Sequence, residues 1–212
     1  MLKLRNSGRA CLAPQLAAAL LLLALSGCTG LRPAATEDIS TYVLDAQAEA
    51  RPAAKATPLT LIVSPPRAAA GFDSARMAYL RKPHELEYFA ANQWADSPAR
   101  MLAPLLVRTL ESGAGFRAVA PASSAAKGDL RLDTELVRLQ QEFTARPSQV
   151  RLTVRAQVVE VATRRVVATR EFEALEDAPA DTPYGGVIAA NRALARVLGQ
   201  LADFSFTAAG GK

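Results

Sequence analysis

Apolar and polar residues alternate most regularly from Val150 to Val158. There Val150, Leu152, Val154, Ala156 and Val158 are interleaved with Arg151, Thr153, Arg155 and Gln157. A period of two marks a strand with one buried face. Just upstream, Leu130, Leu132, Thr134 and Leu136 alternate with Arg131, Asp133 and Glu135. The phase then slips to Val137 and Leu139, which predicts a bulge near Leu136-Val137. Downstream of the polar turn Thr163-Arg164-Arg165, the pattern returns in Val166, Ala168, Phe172 and Ala174, interrupted by Arg170. Three strands joined this closely predict a meander. Its middle strand carries Arg151 and Arg155 between Asp133, Glu135, Glu171 and Glu173. Opposite charges across strands contribute roughly 0.2–1 kcal/mol each. They fix register and solubility without a ligand, so this face is read first as a solvated one.

Shorter patterns fill out the sheet. Leu59–Val63 is a strand stopped by Pro65-Pro66, and Tyr42-Val43-Leu44 predicts a short edge strand. Gly71-Phe72-Asp73-Ser74 is turn chemistry, and Met77–Leu80 and Leu86–Phe89 form a hairpin around the polar turn 81–85. Phe116–Val119 is a brief strand before the Ala/Ser-rich loop 121–128. Two segments have helical spacing instead. Met101, Leu102, Leu105, Leu106, Thr109 and Leu110 form one stripe, with Ser97 at the cap, Pro98 at the first position and Gly113 and Gly115 at the end. Pro104 removes one backbone bond and predicts a kink. Val187, Asn191, Leu194, Leu198, Leu201 and Phe204 form the second stripe, after Thr182-Pro183. The fold class is α+β: two-layer, with a mostly antiparallel sheet and two main amphipathic helices packed on one face.

The N-terminus changes this picture. Lys3, Arg5 and Arg9 precede an apolar run ending in Leu25-Ser26-Gly27-Cys28, after which the chain turns polar. Basic region, short apolar region and small residues before a cut form an export signal. The run is shorter than the roughly 20 apolar residues of a spanning helix. Leu-Ser-Gly-Cys resembles the lipobox of bacterial lipoproteins, which implies cleavage before Cys28 and acylation there (an N-acyl chain and an S-diacylglycerol). The resulting domain plan is a signal peptide 1–27, a lipidated and flexible tether 28–57 with a short strand at 42–44, a single globular domain 58–207, and a frayed tail 208–212. The formal charge of +5 falls to +2 when the three basic residues of the leader depart, so nothing points to nucleic acid. Cys11 leaves with the leader and Cys28 is acylated, so the mature domain has no free thiol. Thr29 is not the aspartate of inner-membrane retention, which favours the outer membrane, facing the periplasm.

Catalytic patterns are scarce. His84, the one histidine, lies in a loop between Pro83 and Glu85, with no partners spaced for a triad or a metal. There is no P-loop. Gly185-Gly186 reads as a flexible lead into the second helix before it reads as an anion cradle. Glu176-Asp177 is placed in a loop. No catalytic residue, metal site or cofactor is expected, and the protein is not expected to be an enzyme. Tyr79, Tyr88, Phe89 and Trp94 gather a third of the 12 aromatic residues into one short span. They are candidate partner-binding residues, with core packing as the alternative.

The ordered set Gly71-Phe72-Asp73, Arg76-Met77-Ala78-Tyr79, Glu85-Leu86-Glu87-Tyr88-Phe89, Gln93-Trp94-Ala95-Asp96-Ser97-Pro98, Met101-Leu102 and Gly186–Asn191 resembles the ABC-type transport auxiliary lipoproteins. The resemblance runs from Tyr42 to the last helix, and Pro104 departs from it. It implies a non-catalytic outer-membrane lipoprotein of a Gram-negative bacterium. Such a protein is an auxiliary component of a mammalian-cell-entry (MCE), or paraquat-inducible, lipid transport system. It docks the MCE protein and, through it, the permease and ATPase subunits, and a homo-oligomer is admitted. Two alternatives stay open: a structural lipoprotein of another envelope assembly or secretion complex, and a lipid-binding periplasmic carrier.

Overall fold

The structure is a computed structural model and describes residues 38–48 and 56–210. The leader, Cys28, residues 49–55 and the last two residues of the chain lie outside the described residues. Within them the order is β1 (Ser40–Tyr42), β2 (Thr57–Val63), β3 (Arg67–Ala68), β4 (Arg76–Leu80), β5 (Leu86–Trp94), α1 (Pro98–Ser112), β6 (Phe116–Pro121), β7 (Leu130–Glu142), β8 (Gln149–Glu160), β9 (Val166–Asp177) and α2 (Pro183–Ala208).

The predicted meander is present. β8 pairs antiparallel with β7 along its whole length, from Leu130↔Glu160 to Glu142↔Gln149, and β9 pairs antiparallel with β8. The ladder shifts between Leu136↔Val154 and Arg138↔Thr153, leaving Val137 as the extra residue of the expected bulge. The bulge turns Leu139 inward behind Leu132, Thr134 and Leu136, so both phases of β7 serve one core.

The other edge of β7 is shared by three short parallel strands. β2 takes Leu130–Leu132, β3 takes Glu135–Leu136, and β4 takes Gln140–Glu142. These three pieces follow β7 as one interrupted strand. Pro65-Pro66 supplies no amide for a ladder and breaks the first junction; the turn at Gly71–Ala75 breaks the second. β6 lies outside β2, β5 outside β4 and β1 outside β5. The sheet is therefore mixed: its long pairings are antiparallel, and the parallel ones are short.

Two strands run past their expected limits. β5 continues to Trp94 rather than stopping at Phe89, because extra residues between Tyr88 and Gln93 shift its register on β4 and erase the alternation. β9 reaches Asp177, so Glu176 and Asp177 belong to a strand and not to a loop. β1 forms the predicted edge strand two residues earlier than expected, at Ser40–Tyr42. The chain beyond it is docked too. Leu44 and Ala46 are buried, and the Asp45 amide donates to Asn191 Oδ1 at 2.7 Å.

Both helices pack on one face of the sheet and touch each other. α1 begins at Pro98 and buries Leu102, Leu105, Leu106 and Leu110. Ser97 occupies the cap position, but its hydroxyl makes no cap bond; its amide instead donates to Asp96 Oδ1 at 2.6 Å. Helical geometry is continuous across Pro104, which is exposed. In α2 the Thr182 hydroxyl caps by accepting from the Gly185 amide at 3.0 Å, and the helix runs to Ala208. Phe204 meets Phe172 of β9 edge-on at 5.5 Å.

Leu139→Ala removes a side chain that the bulge turns into the core opposite Leu152. The expected loss is at least about 2 kcal/mol, the burial of one leucine. Val137→Thr, at the bulge itself and only half-buried, should stay within about 1 kcal/mol of the parent. Urea unfolding of the two variants checks this.

Candidate interaction surfaces

The structure separates the four aromatic residues singled out from the sequence. Tyr79 and Phe89 meet with ring centres 4.4 Å apart, and Phe143 stands edge-on to Tyr79 at 5.9 Å and near Phe89 at 6.4 Å. Tyr79 donates its hydroxyl to Glu87 Oε2 at 3.0 Å. Arg81 clamps the same carboxylate with two bonds and lies 5.7 Å over the Tyr79 ring. Burial, reinforced by the bond to Glu87, raises the Tyr79 phenol above its ordinary range. The Arg81 bonds hold Glu87 below the usual carboxylate range. Tyr88 is held elsewhere, by a bond to the Gly71 carbonyl at 3.0 Å and by Arg76 3.8 Å over its ring. Trp94 is 4% exposed and belongs to the core. Phe143 completes the cluster and was missed; carrying the odd phase past the bulge, through Leu139 and Gln141, leads to it.

Between sheet and helices lies a void of about 10 Å³ among Met77, Phe89, Trp94, Gln141 and Ala190. That is room for about one water, far below the roughly 300 Å³ of a small-ligand site. Gln141 borders it, donating to Ser148 Oγ at 2.9 Å and to the Thr182 carbonyl at 3.2 Å, while its Oε1 is buried without a partner. Gly185 and Gly186 are neither a cradle nor a flexible lead. A Cβ on Gly185 would lie 2.1 Å from the Ala180 carbonyl oxygen, and one on Gly186 would lie 2.3 Å from Gln141 Oε1. Their amides already bond to Thr182. These glycines exist for close packing.

The charged face of the meander is tied to itself. Arg151 bonds Glu142 at 2.8 and 3.1 Å and Glu173 at 2.7 Å. The bulge places Gln140 directly across from Arg151, so its acid on β7 is Glu142 rather than Asp133 or Glu135. Arg155 does stand opposite Glu135 and Glu171 in register. Burial works to raise the Glu142 carboxyl, but the bonds from Arg151 and Gln140 outweigh it and hold the group below the ordinary range. Asp133 follows the same rule, with Arg131 and Ser64 as donors. Glu176 pairs with Arg196 of α2. His84 is exposed in the hairpin turn at φ 67°. Among the described residues no three His, Cys, Asp or Glu side chains converge as a metal site, and no helix is long and apolar enough to cross a membrane.

Exposed apolar side chains fall in two places. Val161, Val166, Val167 and Leu175 lie on or beside β9. That strand has 12 residues and no partner on its outer edge among the described residues. Ile39, Val43, Leu86, Tyr184 and Ile188 lie around β1, the β4–β5 turn and the start of α2.

These features define a class: a two-layer α+β domain that offers strand edges, apolar patches and, between α1 and the ends of β2 and β6, an open groove of about 410 Å³ lined by Val63, Pro104, Val107 and Pro121. A crystal structure from Xanthomonas campestris, described as family DUF330, is similar to it. The TM-score is 0.74 and the identity 23%, over 81% of this chain and 97% of that one. A second, from an uncharacterised protein, has a TM-score of 0.63 and 16% identity over 79% of this chain and 99% of that one. These likenesses show the fold. No match was found among curated proteins. The profile of the ABC-type transport auxiliary lipoprotein component family matches residues 42–202, and the chain belongs to that family.

Arg151→Ala removes the donors of a carboxylate whose side chain is only 13% exposed. The expected cost is about 1–3 kcal/mol at neutral pH. Because Glu142 is held below its ordinary pKa, this stabilisation is present above the ordinary carboxylate range. It is lost as pH falls through the lower, folded value. Denaturation profiles of parent and variant should therefore converge in acid; a constant gap would contradict the assignment.

Proposed function

We propose that this protein is an outer-membrane lipoprotein, acylated at Cys28 and facing the periplasm, that serves an MCE-type lipid transport system by docking its MCE protein. The observation that carries this is the family match over 42–202 on a chain whose leader ends in Leu25-Ser26-Gly27-Cys28. The role is binding, not chemistry. The void of about 10 Å³ beneath α2 has no room for an acyl chain. The observation that favours the lipid-carrier alternative is a groove of about 410 Å³ between α1 and the ends of β2 and β6, lined by Val63, Pro65, Pro104, Val107 and Pro121. The outer edge of β9 is the surface best suited to a partner, because unpaired backbone groups beside Val166, Val167 and Leu175 can accept an added strand. A second copy of the chain could meet the same edge in a homo-oligomer.

Affinity capture from detergent-solubilised membranes, with Cys28 intact, should recover an MCE protein together with permease and ATPase subunits. Val167→Arg should lower that recovery several-fold without unfolding the domain. Capture of a different envelope complex would favour the alternative of another assembly, and recovery of neither would remove the docking claim. Separately, Cys28→Ser should leave a folded protein that no longer fractionates with the outer membrane or incorporates labelled palmitate.

A further inference from the structure

The geometry points to a membrane-facing end of the domain, where Ile39, Val43, Tyr184 and Ile188 rest in the headgroup region of the bilayer that carries the Cys28 anchor. The inference rests on the lipid-anchor reading above. It starts from strand direction. β5 runs away from the turn at 81–85, and β1 lies parallel to it with Ser40 opposite Asn92. The chain before Ser40 therefore comes from the direction of that turn, while Ser40 itself stands beside Asn92, about 20 Å along β5 from Leu86. β4 pairs with the last residues of β7, so this is also the end where Phe143 follows β7 and where α2 begins.

Distance comes next. A free tether reaching to residue 57 would let the domain float well clear of the lipid. With β1 paired and Leu44 and Ala46 buried, only residues 29–39 separate Cys28 from the sheet. Eleven residues reach at most about 40 Å fully extended and roughly 18 Å as a coil. The turn end is thus held close to the bilayer, while the β8–β9 turn lies at the far end of β7, another 40 Å or so away for 13 residues.

What the near end exposes fits a lipid surface. Tyr184 is 60% exposed, Ile39 58%, Val43 55% and Ile188 36%. They form one neighbourhood: the Tyr42 and Tyr184 rings are 6.0 Å apart, and Asn191 donates to the Val43 carbonyl at 3.4 Å. Tyr184, Ile188 and Asn191 follow at helical spacing on one stripe of α2. Tyr79, Tyr88 and Tyr184 lie toward this end, and the Tyr42 ring, in register with Trp94, meets Tyr184. An apolar ring with a polar tip is suited to the boundary between acyl chains and water. Arg81 and Lys82 are paired with Glu87 and Glu85, and the exposed Arg146 of the β7–β8 turn acts on nearby Asp181, so the contact is chiefly apolar and calls for no anionic lipid.

The test uses the full-length lipidated protein in vesicles of phosphatidylethanolamine and phosphatidylglycerol containing nitroxide-labelled lipid. The mature chain has no other free thiol, so Ile188→Cys, Tyr184→Cys and Arg164→Cys can each carry one fluorophore. Lipid quenching should be several-fold stronger at 188 and 184 than at 164, and insensitive to high salt. Equal quenching at all three sites, with palmitate present on Cys28, would overturn the orientation while leaving the anchor intact. A label at 188 or 184 already shielded in detergent would also overturn it, by showing that a second copy or a partner covers the patch. Cys28 found without palmitate would overturn the anchor reading itself, and this inference with it.

Discussion

A strand inside a sheet must satisfy backbone groups on both edges, and β7 does so in two different ways. One edge is met by β8 over its full length. The other is met by three fragments whose breaks come from Pro65-Pro66 and from the turn at Gly71–Ala75. The arrangement holds because of one extra residue, Val137, which resets the phase so that Leu132, Leu136 and Leu139 all reach the same core. The position of β4, and through it of β5 and β1, follows from the stretch of β7 beyond that bulge.

Much of this was legible in the chain. Alternation located the three meander strands and the bulge, and the 3.6-residue period located both helices. Alternation is blind to direction, however, so nothing in Leu59–Val63 distinguishes a parallel partner from an antiparallel one. It also fails where register slips. The residues between Tyr88 and Gln93 hid the second half of β5, and with it the burial of Trp94. Gly185-Gly186 has the composition of a loose segment. Only the positions of Ala180 and Gln141 show that each glycine fills a space too small for a Cβ. The aromatic site was half legible. Tyr79 and Phe89 do meet, but Tyr88 and Trp94 serve other contacts, and Phe143 arrives from just past the end of β7, some fifty residues downstream in sequence.

The proposed orientation rests on the same geometry. Charged groups that could have formed a site are paired with one another, as Arg151 is with Glu142 and Glu173. The exposed large apolar side chains are divided between the region of β1 with the start of α2 and the outer edge of β9. A protein of the ABC-type transport auxiliary lipoprotein component family can use such a division to hold a membrane with one surface and a partner with another.

In-cell photocrosslinking tests that division most directly. A photoreactive residue at position 188 or at position 167 would be placed in the chain with its native leader. The account predicts phospholipid adducts from position 188 and a protein adduct containing an MCE subunit from position 167. Protein adducts at 188 together with lipid adducts at 167 would contradict it.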